Sequence, residues 1–155
     1  MKRLLSGIVF TLLIFCFSVY AFADWELVGS GSQPGTERMW RQYTCTADAS
    51  NGSFPVLTVV GFQDYHLFTI ETWPGDPSPT DATDFTLIDD ATIGEDLLGG
   101  TGTDAIDATT KKTLIPYSST MDLFYTPLIK GDITITVTNN SVNSAIINIR
   151  LTGER

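Results

Sequence analysis

One histidine, two cysteines and eighteen acids are the residues on which any chemistry in this chain would rest. His66, the single histidine, lies in an alternating stretch where Phe68 and Ile70 share its face. That is the setting of a packed or edge histidine rather than of a general base. A serine hydrolase needs Ser, His and usually an acid to orient the ring, and the G-x-S-x-G turn is absent. Cys45 with His66 is the one thiol–imidazole pairing open to the chain. Zinc requires three or four clustered ligands, which one Cys and one His outside the leader cannot supply.

The acids offer more. A carboxylate pair for glycoside hydrolysis is available in principle, although no two of the 18 stand out as partners. They are densest at Asp76, Asp81 and Asp84, with Asp89 and Asp90 beyond the next apolar run. Calcium takes oxygen-rich loops of this kind, but the EF-hand spacing with its Gly and closing Glu is missing. No metal site is therefore assigned and no cofactor is expected, calcium being the one ion the loop chemistry would admit. Gly99-Gly100-Thr101-Gly102-Thr103 lacks the strand-to-helix setting and the Lys of a phosphate loop. Among the aromatics, Trp40, Tyr65 and Trp73 could line a sugar-stacking face, with Tyr65 and Trp73 the candidate ligand-binding residues. The competing role is filling the core or its edges.

These residues sit in a chain whose periodicity is two almost throughout. Arg38–Ala47 alternates, Phe54–Phe62 is rich in β-branched residues, and Tyr65–Trp73 alternates again. Phe85–Ile88 and Thr113–Ile115 are short and apolar. In Asp132–Thr138 the residues Ile133, Ile135 and Val137 oppose Thr134, Thr136 and Thr138. In Ser144–Thr152 the inward set is Ala145, Ile147, Ile149 and Leu151. Strict alternation with Thr on the wet face predicts half-buried antiparallel strands. Asn139–Asn143 reads as a hairpin loop joining the last two, since Asn tolerates the left-handed conformation. Only Ala91–Leu98 could form a helical turn. About seven or eight short strands separated by Gly/Pro/Asp turns predict an all-β fold, an antiparallel β-sandwich or jelly roll.

The first 23 residues carry the pattern of an export signal. Lys2 and Arg3 precede an apolar run, and Ala21-Phe22-Ala23 supplies a small-residue cleavage site before Asp24. The expected organisation is a signal peptide over 1–23, a flexible segment over 24–37 and a single β-sandwich domain over 38–155. Removing the leader from 155 residues leaves 132, ample for one domain, and no stable membrane span. It also takes two of the nine basic residues and none of the 18 acids, so the net charge becomes −11. Such an excess argues against nucleic acid and against anionic membranes, both of which are bound through Lys and Arg. Cys16 departs with the leader, leaving Cys45 without an intramolecular partner; burial as a small hydrophobe or pairing between chains are the two outcomes.

Three segments taken together resemble a known family. They are Thr69–Asp81, in which a strand ends at Pro74-Gly75 and a Pro79-Thr80-Asp81 turn follows, then Asp84-Phe85-Thr86-Leu87-Ile88-Asp89-Asp90, and then Asp96-Leu97-Leu98-Gly99-Gly100. The closing unit is Gly131-Asp132-Ile133-Thr134-Ile135-Thr136-Val137 with its Asn-rich loop to Ala145. This pattern resembles small β-rich virion-associated proteins of tailed bacteriophages and prophages, over roughly Arg38 to Leu151. The resemblance implies a non-enzymatic structural or accessory role with a protein partner or self-association, and virion association. With the leader, the expectation is an exported structural or surface-interaction module: periplasmic, cell-surface or extracellular. A carbohydrate-binding module is the second reading and a carboxylate-based hydrolase the third.

Overall fold

The strict alternation at the C-terminal end of the chain becomes two strands that lie in different sheets. The computed structural model describes residues 23–32, 35, 37–92, 94 and 96–155. Apart from Ala23, the expected export signal lies outside the described residues. Ten strands follow in order: β1 (Asp24–Ser32), β2 (Arg38–Thr46), β3 (Leu57–Val59), β4 (His66–Pro74), β5 (Asp84–Asp89), β6 (Lys112–Leu114), β7 (Tyr117–Ser118), β8 (Leu123–Phe124), β9 (Ile133–Thr138) and β10 (Ile146–Glu154). They form a five-stranded sheet in the order β1-β2-β10-β4-β6, a three-stranded sheet β3-β9-β5, and the small hairpin β7-β8. Every pairing is antiparallel. The fold is all-β, with no helix among the described residues and none long and apolar enough to cross a membrane.

The apolar halves of the alternating strands explain the core. Ile147, Ile149 and Leu151 of β10 are fully buried, and β2 adds Tyr43 and Cys45 from the neighbouring strand. Ile133, Ile135 and Val137 of β9 are flanked by Leu57 and Val59 of β3 and by Phe85 and Leu87 of β5. The buried faces of both larger sheets belong to one apolar cluster. Each Ile or Leu taken out of water contributes about 1.5–3 kcal/mol, and these side chains are what hold the sheets together.

Several expectations are corrected. Asn139–Asn143 is not a hairpin loop, because β9 pairs with β3 and β5 whereas β10 pairs with β2 and β4. The connection passes from one sheet to the other, pinned by Asn140. Its amide donates to the carbonyls of Gly52 and Val142, and its Oδ1 accepts from the Thr80 N–H. The Gly-rich segment after Asp24 is a strand rather than a flexible lead-in, since β1 pairs with β2 from Asp24↔Thr46 to Ser32↔Met39. Its glycines are matched to Trp40: a Cβ on Gly29 would stand 2.9 Å from the indole Cζ3, and one on Gly31 2.9 Å from Nε1. The indole lies where side chains would otherwise project.

In β4 the alternation changes phase. The register passes from Thr152↔Thr69 to Gly153↔Leu67, leaving Phe68 as an extra residue. A bulge of this kind lets Leu67 and Ile70, three apart, both point inward. The 54–62 run supplies only three strand residues before Gly61, at φ 78°, turns the chain. The described residues of 91–98, where a helical turn was expected, form turns, bends and an isolated bridge from Asp96 to Ile88, and the strand number is ten because the short β7-β8 pair and β1 were not anticipated.

Candidate functional site

The side chains with the greatest capacity for recognition collect on the outward face of the five-stranded sheet. β10 runs through its middle, and Arg150 sits directly opposite Gln42 of β2 and Glu71 of β4. Its Nη2 donates to Gln42 Oε1 at 2.7 Å, and Nη1 lies 3.6 Å from Glu71 Oε2. Trp40 and Trp73 are its diagonal neighbours, entering through Thr152 and Asn148 in the register. The guanidinium carbon is 5.1 Å from the Trp40 ring centre and 5.8 Å from that of Trp73. Lys111 extends the row, 5.4 Å from the Trp73 centre and ion-paired with Glu71. Attraction between a cation and an indole is worth about 0.5–1 kcal/mol at such a half-exposed position. The result is a row of alternating rings and cations laid across β2, β10 and β4.

Trp40 and Trp73 are therefore brought together, as an aromatic face requires, but Tyr65 is not part of it. Tyr65 precedes β4 at the end opposite Trp73, eight residues or about 26 Å of extended chain away. There it meets Phe62 edge-on at 6.4 Å and carries the Arg155 guanidinium 4.4 Å above its ring. The Trp73 ring is already engaged by Arg150 and Lys111, so a sugar stacking on it would compete with two cations. Arg150 was legible only as an outward residue of a half-buried strand. Its role depends on β10 lying between β2 and β4, which no local signal carries.

The acids have a different occupation. Asp89 is buried and accepts the Ala91 and Gly131 N–H groups on Oδ1 and the Lys130 N–H on Oδ2, all between 2.9 and 3.0 Å. Asp96 accepts from the backbone of Leu87, Leu98 and Gly100. In the acidic stretch picked out for calcium, Asp81 accepts the Ala108 N–H and Asp84 the Asp104 N–H, which fastens that segment to the 104–108 loop. Asp107 caps its own turn through Thr109 and Thr110, and the Thr109 and Thr110 bonds hold its carboxyl down at about 2. Among the described residues no group of three or more His, Cys, Asp or Glu side chains is placed to hold a metal ion. These carboxylates are spread over the two ends of β5 and separate loops, and they serve as acceptors for backbone amides.

His66 and Cys45 are apart as well as differently placed. His66 is exposed and bonded through Nδ1 to the Thr126 carbonyl at 2.8 Å. Cys45 is free and buried, paired in register with Trp25 and Ile147. Burial, then the charge of Asp24, push its thiol up to about 12 from an ordinary 9.0. The reactive thiolate is thus absent at neutral pH. Below about pH 9 this thiol leaves stability unchanged, and stability falls as the pH climbs from there towards 12. The native protein at pH 8 should resist a disulfide reagent such as dithionitrobenzoate, whereas the urea-unfolded chain reacts at once. Rapid stoichiometric labelling of the folded protein would contradict this placement.

No protein-family model matches the chain, and no curated protein matches it. Among solved structures, the capsid asymmetric unit of cyanophage Pam1 is similar at a TM-score of 0.44 and 13% identity, covering 83% of this chain and 92% of that one. At that level the likeness says nothing about what this chain does. The described residues define an all-β protein with one apolar core, an outward row of indoles and cations, and acid-tied loops.

Proposed function

We propose that the chain is an exported, non-enzymatic structural or surface-interaction module, a β-sandwich that works by shape and by contact with protein. This is the role carried by the virion accessory proteins it resembles. The observation that supports it best is the outer edge of β1. Among the described residues β1 pairs only with β2, so its other edge presents backbone N–H and C=O groups on either side of a bulge at Val28. The strand contains no Lys, Arg or Pro, the residues that usually blunt such an edge, and its Leu27 and Val28 are 46% and 44% exposed. Antiparallel pairing of two copies about Val28 would set Asp24 against Ser32 and Glu26 against Ser30, so no two acids meet. A second copy adding its β1 would extend the five-stranded sheet without a change in either core.

Light scattering of the purified protein is the test, with and without calcium and reductant. The wild-type chain should have the mass of a defined oligomer, and Val28→Lys should weaken association at least tenfold by placing like charges at the centre of the pairing. Reductant should have no effect, because Cys45 is buried. A strict monomer at high protein concentration under every condition would remove self-association from the proposal.

A further inference from the structure

A recess beside Trp40, at the end of the indole–cation row, contains a guanidinium that has no counter-ion among the described residues. We propose that the recess at Arg41 is a binding site for a carboxylate group. Arg41 shares the inward side of β2 with Met39, Tyr43 and Cys45, so the strand's period turns its long side chain to the end of the core rather than to open solvent. Backbone closes over it there. A Cβ built on Gly61 would stand 2.6 Å from Arg41 Nη2, and the loop passes there at a φ of 78° that favours glycine. Arg41 Nε is buried and without a hydrogen-bond partner among the described residues.

Arg41 contrasts with four of the other cations. Arg38, Lys111, Lys112 and Arg150 each lie within 4.0 Å of a Glu or Asp carboxylate. Among the described residues Arg41 is the one guanidinium that has both a buried, unpartnered nitrogen and no carboxylate within 4.0 Å. A guanidinium cannot shed its proton to escape the cost of burial, and the remedy is an anion of matching geometry.

The recess has a volume of about 250 Å³ and is lined by Ser30, Ser32, Met39, Trp40, Arg41 and Tyr65. That is room for several waters or one short acid. Arg155, stacked on Tyr65, brings a second positive charge to the rim. The two serines offer hydroxyl donors, and Met39 and Tyr65 form an apolar wall suited to an aliphatic stem. A carboxylate would take the Arg41 fork in the two-pronged manner that Arg favours. It can arrive on a small acid or on an Asp or Glu of a second copy.

The test is a ¹H–¹⁵N titration of the full chain with sodium succinate, against sodium chloride and sodium phosphate at equal ionic strength. The protein has three tryptophans, so Trp25 and Trp73 serve as internal references for the Trp40 indole signal. The Trp40 indole and the Ser30–Ser32 amides should move saturably with succinate, with a Kd on the order of 1–10 mM. Arg41→Gln should weaken binding more than tenfold, and Arg41→Lys, which keeps the charge but loses the fork, should weaken it less. If Arg41→Gln does not fold, Arg41→Lys alone carries the comparison.

A Trp40 signal that moves with protein concentration without succinate, and ceases to in the Arg41 variant, identifies a second copy as the source of the carboxylate. Equal shifts in chloride, a response to phosphate alone, or an unchanged response in the Arg41 variants would overturn the site. The succinate response should survive Val28→Lys, so failure of edge pairing and failure of this site are separately visible.

Discussion

Gly102→Ala is expected to lower stability by ~3–5 kcal/mol, a large share of the ~5–15 kcal/mol that holds a domain of this size folded. The cause is a close approach of two backbones. An alanine Cβ would stand 1.9 Å from the carbonyl oxygen of Phe85, well inside any tolerable contact. Phe85 cannot retreat. Its ring is buried, its N–H donates to the Gly102 carbonyl at 3.0 Å, and its strand is paired with Val137 of β9. Gly100→Ala is the control two residues away. Gly100 has φ of 89° but nothing within 4 Å of the added methyl, so only backbone strain of ~1–2 kcal/mol is expected. Urea unfolding of the two variants measures the difference. Equal losses would show that the 100–103 turn can move away from β5.

Asp89→Ala should be nearly as damaging, at ~3–5 kcal/mol, since it leaves three backbone N–H groups around a buried position without an acceptor. This carboxylate joins the end of β5 to residues 130–131, just before β9, so its loss also loosens the entry to the central strand of the smaller sheet. Asp89→Asn should not restore stability. Both oxygens of the aspartate accept, and an amide nitrogen in either place would face an N–H donor. The same urea titration decides the point. An asparagine variant as stable as the wild type would mean that one oxygen is dispensable or that water has entered.

The strands were legible to the extent that their own side chains fixed them. Alternation in Arg38–Ala47, Asp132–Thr138 and Ser144–Thr152 identified β2, β9 and β10 and the residues each buries. Partnership was not legible, because a half-buried strand has the same period of two whichever sheet receives it. β9 and β10 were therefore read as a hairpin although they belong to different sheets. β1 was missed because its period is erased by Gly29 and Gly31, which are glycine on account of Trp40, a residue on another strand. The phase change in β4 was hidden for a similar reason. A bulge leaves no mark in composition, and Leu67 and Ile70 both lie inward only because Phe68 is extra. Among the site residues, Trp40, Tyr65 and Trp73 were visible as aromatics, but their separation into two neighbourhoods depends on strand order. Arg41 is an alternating residue with an unusual identity, and only the fold reveals that no carboxylate among the described residues answers it.

The placement of β10 has a consequence for the order of events during synthesis. The strand formed by residues 146–154 is the middle of the five-stranded sheet, holding β2 on one side and β4 on the other. Until those residues emerge, β1-β2 and β4-β6 are separate two-stranded ribbons, which are marginal in water on their own. The larger sheet thus closes last, by insertion of the final strand between two waiting edges. A chain threaded N-terminus first through any pore would keep this sheet open until residues 146–154 had passed.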